Sequence, residues 1–228
     1  MPTSVANALA AIRQRIADAA ARSGRGGDAV TLVAVSKTFP VEVIEEAVAA
    51  GQRIFGENKV QEGLDKIPAL PGDLEWHLIG HLQSNKIRKA LPLFGWIETI
   101  DSLERARQVD RVAGELGVRP KILLQVNIGQ DDAKFGYTES GLRSDFDALL
   151  GLLHLDIRGL MTIPPLEESP DRTRAHFAAL RVLRDDLEIR AGRPLPDLSM
   201  GMSHDFEIAI EEGATLVRVG SAIFGGRG

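Results

Sequence analysis

The stretch Leu32-Val33-Ala34-Val35-Ser36-Lys37-Thr38-Phe39-Pro40-Val41 decides the fold. It opens on the short apolar run of a buried strand, and Lys37 ends that run. Pro40 and the helical pattern of Val41-Glu42-Val43-Ile44-Glu45-Glu46-Ala47 follow at once. A lysine at the end of such a strand is costly to bury unless something pairs with it or reacts with it. Two readings stand for Lys37. It is an ammonium that snorkels to solvent or pairs with a carboxylate. Or it is an amine kept neutral for Schiff-base formation at the C-terminal end of a barrel strand, where such folds hold their chemistry.

Outward from this unit the rhythm repeats. Strands are expected at residues 30–36, 53–55, 75–79, 96–100, 121–128, 156–161, 197–200 and 215–219. Helices are expected near 41–50, 60–67, 84–91, 103–116, 140–150, 172–190 and from Ser203 or His204 to 212. Asp101 or Ser102 is the expected N-cap of the fourth of these. Before the first strand, Leu9, Ile12 and Ile16 give residues 5–22 a helical spacing, broken by Ser23-Gly24-Arg25-Gly26-Gly27-Asp28. Eight strand–helix alternations in about 200 residues suit a (β/α)₈ TIM barrel. Ile122-Leu123-Leu124-Gln125-Val126 is apolar on both faces, as parallel strands are. The competing architecture is an open doubly wound sheet, but the Gly-x-Gly-x-x-Gly expected after its first strand is absent. The N-terminal helix is extra to the barrel and is expected to plug its lower end. No linker divides the chain, and residues 1–228 are read as a single domain.

Composition excludes several classes of function. The 228 residues are 44% hydrophobic and 26% charged, which is ordinary for a globular protein. A net charge of -5 leaves no general basic surface for nucleic acid. With no cysteine there is no disulfide, thiol chemistry or cysteine zinc site. Met1-Pro2-Thr3-Ser4 and the alanine-rich stretch behind it lack the parts of a secretory signal. No apolar run approaches a membrane span. The expectation is a cytoplasmic protein with neither nucleic acid nor membrane as partner, and a monomer.

In a barrel the polar residues just after each strand converge on one face. Here they are Lys37, Glu57, Asn58, Gly80, His81, Gln83, Asn127, Thr162, Met202, Ser203, His204, Arg218, Gly220 and Ser221. Gly201-Met202-Ser203-His204-Asp205 and Gly220-Ser221-Ala222 follow strands seven and eight, the frequent phosphate-binding loops of barrels. Each opens a helix, where backbone N–H groups favour an anion, and the serine hydroxyls add donors. Taken singly, Ser203 reads equally as an N-cap and Gly220 as a turn residue; the coincidence of the two loops points to phosphate. Arg218, among apolar neighbours, must meet acceptors: a carboxylate such as Glu207 or Asp205, or a ring nitrogen or oxygen of a ligand. His77, His81, His154, His176 and His204 do not make a metal site, because His77 and His81 flank a strand end rather than sharing a helix face. His81 is placed to line the upper face. Ser84-Asn85-Lys86-Ile87-Arg88-Lys89, Asp185-Asp186 and Glu211-Glu212 read as solvated faces, and Asp131-Asp132 as an ion-pair partner of Lys134.

A lysine facing a phosphate site across a barrel mouth suggests pyridoxal 5'-phosphate. On specific segments the chain resembles the pyridoxal phosphate homeostasis protein family, one-domain relatives of the alanine-racemase N-terminal-domain barrel. The segments are Val33-Ala34-Val35-Ser36-Lys37, Phe55-Gly56-Glu57-Asn58, the run from Trp76 to Lys86, Gln125-Val126-Asn127-Ile128, Arg158-Gly159-Leu160-Met161, the run from Leu198 to Asp205, and the run from Val217 to Gly225. Lys59 departs from the tyrosine expected after Glu-Asn. The resemblance implies that Lys37 is the Schiff-base lysine, that Ser203, Gly220 and Ser221 hold the phosphate, that Arg218 lies at the ring nitrogen, and that Asn58 touches the cofactor. Its implied function is vitamin B6 homeostasis and delivery, with pyridoxal-phosphate-dependent apoenzymes as recipients.

Two features favour a carrier over a catalyst. Racemase barrels use a second domain that supplies a tyrosine base, and this chain is read as having no room for one. Its one tyrosine, Tyr137, follows Lys134-Phe135-Gly136 in a loop and reads as structural. An arginine at the ring nitrogen also disfavours protonation there and weakens the ring as an electron sink. The alternatives are a small pyridoxal-phosphate-dependent amino-acid racemase or lyase, and a phosphate-sugar barrel enzyme without this cofactor.

Overall fold

Eight parallel strands close on themselves in chain order: β1 (Thr31–Val35), β2 (Ile54–Glu57), β3 (Glu75–Leu78), β4 (Trp96–Ile100), β5 (Lys121–Gln125), β6 (Asp156–Met161), β7 (Asp197–Ser199) and β8 (Leu216–Val219). The ladder from β1 to β8, with Val33 opposite Arg218 and Ala34 opposite Val219, makes the closure and excludes the open sheet. The structure is a computed structural model that describes residues 4–131, 134–165 and 169–226. Asp132 lies outside them.

The helices are α1 (Val5–Arg22), α2 (Val41–Ala49), α3 (Val60–Lys66), α4 (Ile87–Ala90), α5 (Leu103–Leu116), α6 (Glu139–Leu150), α7 (Pro170–Ala191), α8 (Phe206–Glu211) and α9 (Ser221–Phe224). Local chemistry sets their ends. Ser102 and Thr138 accept from the N–H groups of Arg105 and Gly141, capping α5 and α6. Gly117 and Gly192 end α5 and α7 in the left-handed conformation, at φ of 66° and 61°. The segment expected as one helix at 84–91 divides into a 3₁₀ turn (Ser84–Lys86) and the short α4. Among the described residues, no helix is long and apolar enough to cross a membrane.

The main core lies between sheet and helices, where Phe55, Phe94, Phe146, Phe177 and Phe206 are fully buried. A smaller cluster of Trp96, Leu123 and Met161 packs apart from it. The N-terminal helix corrects its expectation. It does not plug the lower end. Its buried stripe of Leu9, Ile12, Ile16, Ala19 and Ala20 packs on α2, α8 and α9. Because α9 has only four residues, the ring has a gap between β8 and β1, and α1 fills it. Charges read as solvated also prove to be clamps between helices. Glu211 and Glu212 hold Arg174, with Nη–Oε distances of 2.6 and 2.8 Å, and Asp186 holds Arg143 at 2.8 Å.

Candidate functional site

A cavity of about 370 Å³ opens where the strands end. Of the residues expected at this face, Lys37, Asn58, His81, Met202, Ser203, Arg218, Gly220 and Ser221 line it. So do Phe39, Gly80, Thr99, Gln125, Phe135 and His204.

Lys37 is half-buried in the turn that follows β1. Its neighbours are pinned on both sides. Thr38 takes a φ of 70°, a conformation rare for a β-branched residue, and its N–H donates to Glu62 Oε2 at 2.7 Å. On the other side, the Ser36 hydroxyl donates to Glu57 Oε1 at 2.7 Å. Lys66 joins the two, donating to the Ser36 carbonyl (3.0 Å), Glu57 Oε1 (3.0 Å) and Glu62 Oε2 (3.1 Å). Burial raises the Glu57 carboxyl above the usual range, against the pull of Ser36 and Lys66. Glu57 therefore belongs under the turn rather than to the cavity. β2 runs two residues further than its sequence pattern suggested and carries Glu57 inside the last strand position.

The opposite wall is built from two loops. Ser203 is not the N-cap of α8; Asp205 takes that position, and its carboxylate closes the turn by accepting from Met202 N at 2.6 Å. The Ser203 hydroxyl is thereby left to face Ser221, with 3.1 Å between the two Oγ atoms, and Ala222 N approaches it at 3.5 Å. A Cβ on Gly220 would meet the Val35 carbonyl oxygen at 3.1 Å and Val35 Cβ at 3.2 Å, so any larger residue would press this loop a few tenths of an ångström away from β1. Because α8 and α9 have six and four residues, hydroxyls and turn N–H groups, more than helix dipoles, make this wall anion-friendly.

Arg218, in β8, is almost fully buried at the cavity floor. Its partners are not Glu207, which Arg15 holds at 2.9 Å. Nη1 donates to Ser199 Oγ at 2.5 Å, and Nη2 to the Thr162 carbonyl at 2.8 Å. Ser199 in turn donates to Glu98 Oε2 at 2.5 Å, and Glu98 lies 3.9 Å from Nη1. Beyond Glu98 come His77 Nδ1 at 2.6 Å, then Glu75 at 3.3 Å from His77 Nε2, then Lys121 at 3.3 Å from Glu75. This line of alternating charge runs from the cavity floor to the lower rim. Burial alone would lower the His77 pKa, but the two carboxylates hold it above the usual range, so both ring nitrogens donate. Burial would likewise raise Glu98, yet His77 and Arg218 keep it below the usual range. The bond from His77 holds Glu75 at about 2.

Sequence reasoning missed Glu98, Ser199 and the role of His77. The available signal was one carboxylate inside the otherwise apolar-looking Trp96-Ile97-Glu98-Thr99-Ile100, on the same face as Trp96. Phe135 was missed as well; it stacks on His81 at the mouth, with ring centroids 4.3 Å apart. Gln83, Asn127 and Thr162 do not line the cavity. Gln83 is exposed, Asn127 holds its own loop through Asp131 O and Lys134 O, and Thr162 is buried and donates to Val126 O at 2.8 Å. Lys59 is exposed beside α3 and also stands outside the lining. Lys134 reaches Asp131 at 4.0 Å and Pro164 O at 2.7 Å. Among the described residues, no group of three or more His, Cys, Asp or Glu is arranged for a metal.

Gly80 marks a close approach at this mouth. A Cβ there would stand 2.0 Å from the Asn58 carbonyl oxygen. Gly80→Ala is expected to displace Asn58 and cost about 1–3 kcal/mol, read as a lower urea midpoint with an unchanged slope.

Comparisons with known proteins agree with this geometry. Residues 8–228 match the family model described as alanine racemase, N-terminal domain. The pyridoxal phosphate homeostasis protein of Aquifex aeolicus is 43% identical over 220 residues, covering 96% of each chain. PipY of Synechococcus elongatus, solved without pyridoxal phosphate, is 45% identical with a TM-score of 0.89 over 97% of this chain and 100% of that one. The same protein solved with pyridoxal phosphate bound is 46% identical, with a TM-score of 0.84 over 94% of this chain and 100% of that one. An alanine racemase of Clostridium difficile, 17% identical, shares the barrel alone: its TM-score is 0.76 over 98% of this chain and 57% of that one. With the barrel, the lysine turn and the serine loops in place, and relatives matched along nearly their whole length, this chain belongs to the pyridoxal phosphate homeostasis protein family, on the alanine racemase N-terminal-domain fold.

Proposed function

We propose that this protein binds pyridoxal 5'-phosphate reversibly and serves its intracellular homeostasis and delivery, with Lys37 as the Schiff-base anchor. The observation that carries the proposal is the meeting, in one cavity, of Lys37, the paired hydroxyls of Ser203 and Ser221, and the buried Arg218. The names of its relatives and the pyridoxal-phosphate complex of PipY support it.

The residues present fit the group. Ser203, Gly220 and Ser221 would hold the phosphate, because Gly220 brings backbone close and the two hydroxyls converge. Asn58, His81 and Met202 would flank the ring. Arg218 spends two of its five N–H donors on Ser199 and Thr162, and one of the remaining donors would face the ring nitrogen. When bound, the cofactor supplies an aldehyde that condenses with an amine and a ring that can draw electrons.

The protein's own groups favour holding over turnover. Tyr137 is buried outside the cavity, and burial, with Asp145 and Asp101, pushes its phenol well above the usual range. Its proton is retained, and it is no base for a substrate in the cavity. A cationic Arg218 at the ring nitrogen opposes protonation there. We place this role in one barrel domain working in the cytoplasm, with pyridoxal-phosphate-dependent apoenzymes as recipients. The experiment is to load the protein and incubate it with L- and D-alanine and serine in D₂O. The expected result is stable binding with negligible exchange at Cα. Sustained exchange at about 1 s⁻¹ or faster, the lower end of ordinary enzyme turnover, would sink the carrier assignment in favour of a small racemase or lyase.

A further inference from the structure

We propose that Glu98 is a positioning residue for Arg218: through the Ser199 hydroxyl it fixes the guanidinium, so that recognition of a pyridine nitrogen at the cavity floor depends on a carboxylate that never touches the ligand. The proposal rests on the assignment of the cavity to pyridoxal phosphate made above.

The hydrogen-bond directions are forced. A guanidinium only donates and an ionised carboxylate only accepts. Ser199 lies between them, 2.5 Å from Arg218 Nη1 and 2.5 Å from Glu98 Oε2. Its hydroxyl must therefore donate to Glu98 and accept from Arg218. The Thr162 carbonyl takes Nη2 at 2.8 Å. Two fixed acceptors on two different nitrogens set the plane of the guanidinium, and the plane sets where its other donors point. Glu98 is itself immobile. It is fully buried, and its second oxygen takes a bond of 2.6 Å from His77, whose ring stacks on Trp96 with centroids 4.9 Å apart. The order of cause runs from the stacked imidazole to the carboxylate, to the hydroxyl, to the guanidinium.

Glu98→Gln tests this with almost no change of shape. To go on accepting from His77, the amide must present its oxygen there and its NH₂ to Ser199. Ser199 then faces two donors: its oxygen can accept from both, but its hydrogen no longer has a carboxylate to donate to, so the bridge from carboxylate to guanidinium is broken. Arg218 keeps its charge, and the acceptor on Nη1 is no longer tied down by a charged partner.

The measurement is the affinity for pyridoxal phosphate and for 1-deazapyridoxal phosphate, in which C–H replaces the ring nitrogen. Unsubstituted protein is expected to prefer pyridoxal phosphate by about tenfold or more, because the analogue leaves a buried donor unpaired. In Glu98→Gln that preference is expected to fall to within about threefold, with coupling read as in a double-mutant cycle. A role in stability alone would lower the unfolding midpoint and leave the preference intact, and that result overturns the proposal. Should Glu98→Gln fail to fold, Ser199→Ala keeps both charges, removes only the bridging hydroxyl and carries the same expectation. Unsubstituted protein that binds neither compound overturns the cofactor assignment and the proposal with it. Binding of both without preference overturns the placement of Arg218, while Lys37 and the phosphate loops stand.

Discussion

Lys37→Ala protein mixed with pyridoxal phosphate is expected to show no absorbance band near about 420 nm, where the unsubstituted protein shows one. The expectation comes from where each lysine stands. Lys37 is on the cavity wall, half-buried, directly after β1. Lys66, the last residue of α3, reaches the same turn but is 9% exposed and committed to the Ser36 carbonyl, Glu57 and Glu62. Lys59 is exposed and outside the lining. Truncation at Lys37 removes a half-buried amine from the cavity wall, and the turn keeps the bonds of Thr38 and Lys66 to Glu62 and of Lys66 to the Ser36 carbonyl. Far-ultraviolet dichroism should therefore be unchanged. Affinity should fall by at least about tenfold, which is 1.4 kcal/mol, with residual binding through the serine loops. A band that survives the substitution would move the anchor to another lysine, and no band in the unsubstituted protein would refute the cofactor assignment.

The fold was legible because barrel strands advertise themselves locally. Each is a short apolar run with a helix start behind it, and β4 and β6 have the bounds their patterns imply. Part of the cavity wall was legible from position after a strand, as at Lys37, Ser203, Gly220 and Ser221, but Gln83, Asn127 and Thr162 share that position and stand outside the lining, while Phe135 in its loop was missed. The larger illegible part lies inside the barrel. Glu98, His77, Ser199 and Arg218 come from β4, β3, β7 and β8 and meet only once the sheet has closed, so no spacing in the chain relates them. Arg218 could be seen to need an acceptor, but the acceptor could not be named. The position of α1 was misjudged for a related reason. The gap it fills exists because α9 stops after four residues, and that shortfall shows only in the assembled ring.

His77→Phe is expected to be the most damaging single substitution within the barrel. Phenylalanine preserves the stack on Trp96 and nearly the volume, so the loss is electrostatic. It strips Glu98 of its 2.6 Å donor and leaves a fully buried carboxylate facing only Ser199 and a guanidinium 3.9 Å away. Breaking one side of such a buried pair costs about 3–5 kcal/mol, on the order of 10 °C in midpoint for a chain of this size. The effect should also depend on pH in a way that identifies its source. The folded-state pKa of His77 is raised, so the unfolded chain releases this proton first as pH rises past about 6.5. The stability it contributes is complete below that value and is lost as pH climbs through the folded pKa. Glu75 has the opposite sign. Held at about 2, it contributes stability above its unfolded pKa that disappears as pH falls through about 2. Urea unfolding of unsubstituted protein should thus weaken on the alkaline side of neutrality, and His77→Phe should flatten that limb. In the variant Glu75 also loses its imidazolium partner, its folded-state pKa moves back toward the ordinary carboxylate value of about 4.3, and its acid limb should shrink. A variant that is destabilised equally at every pH would mean that packing, and not the buried line of charge from Lys121 to Arg218, is what His77 supplies.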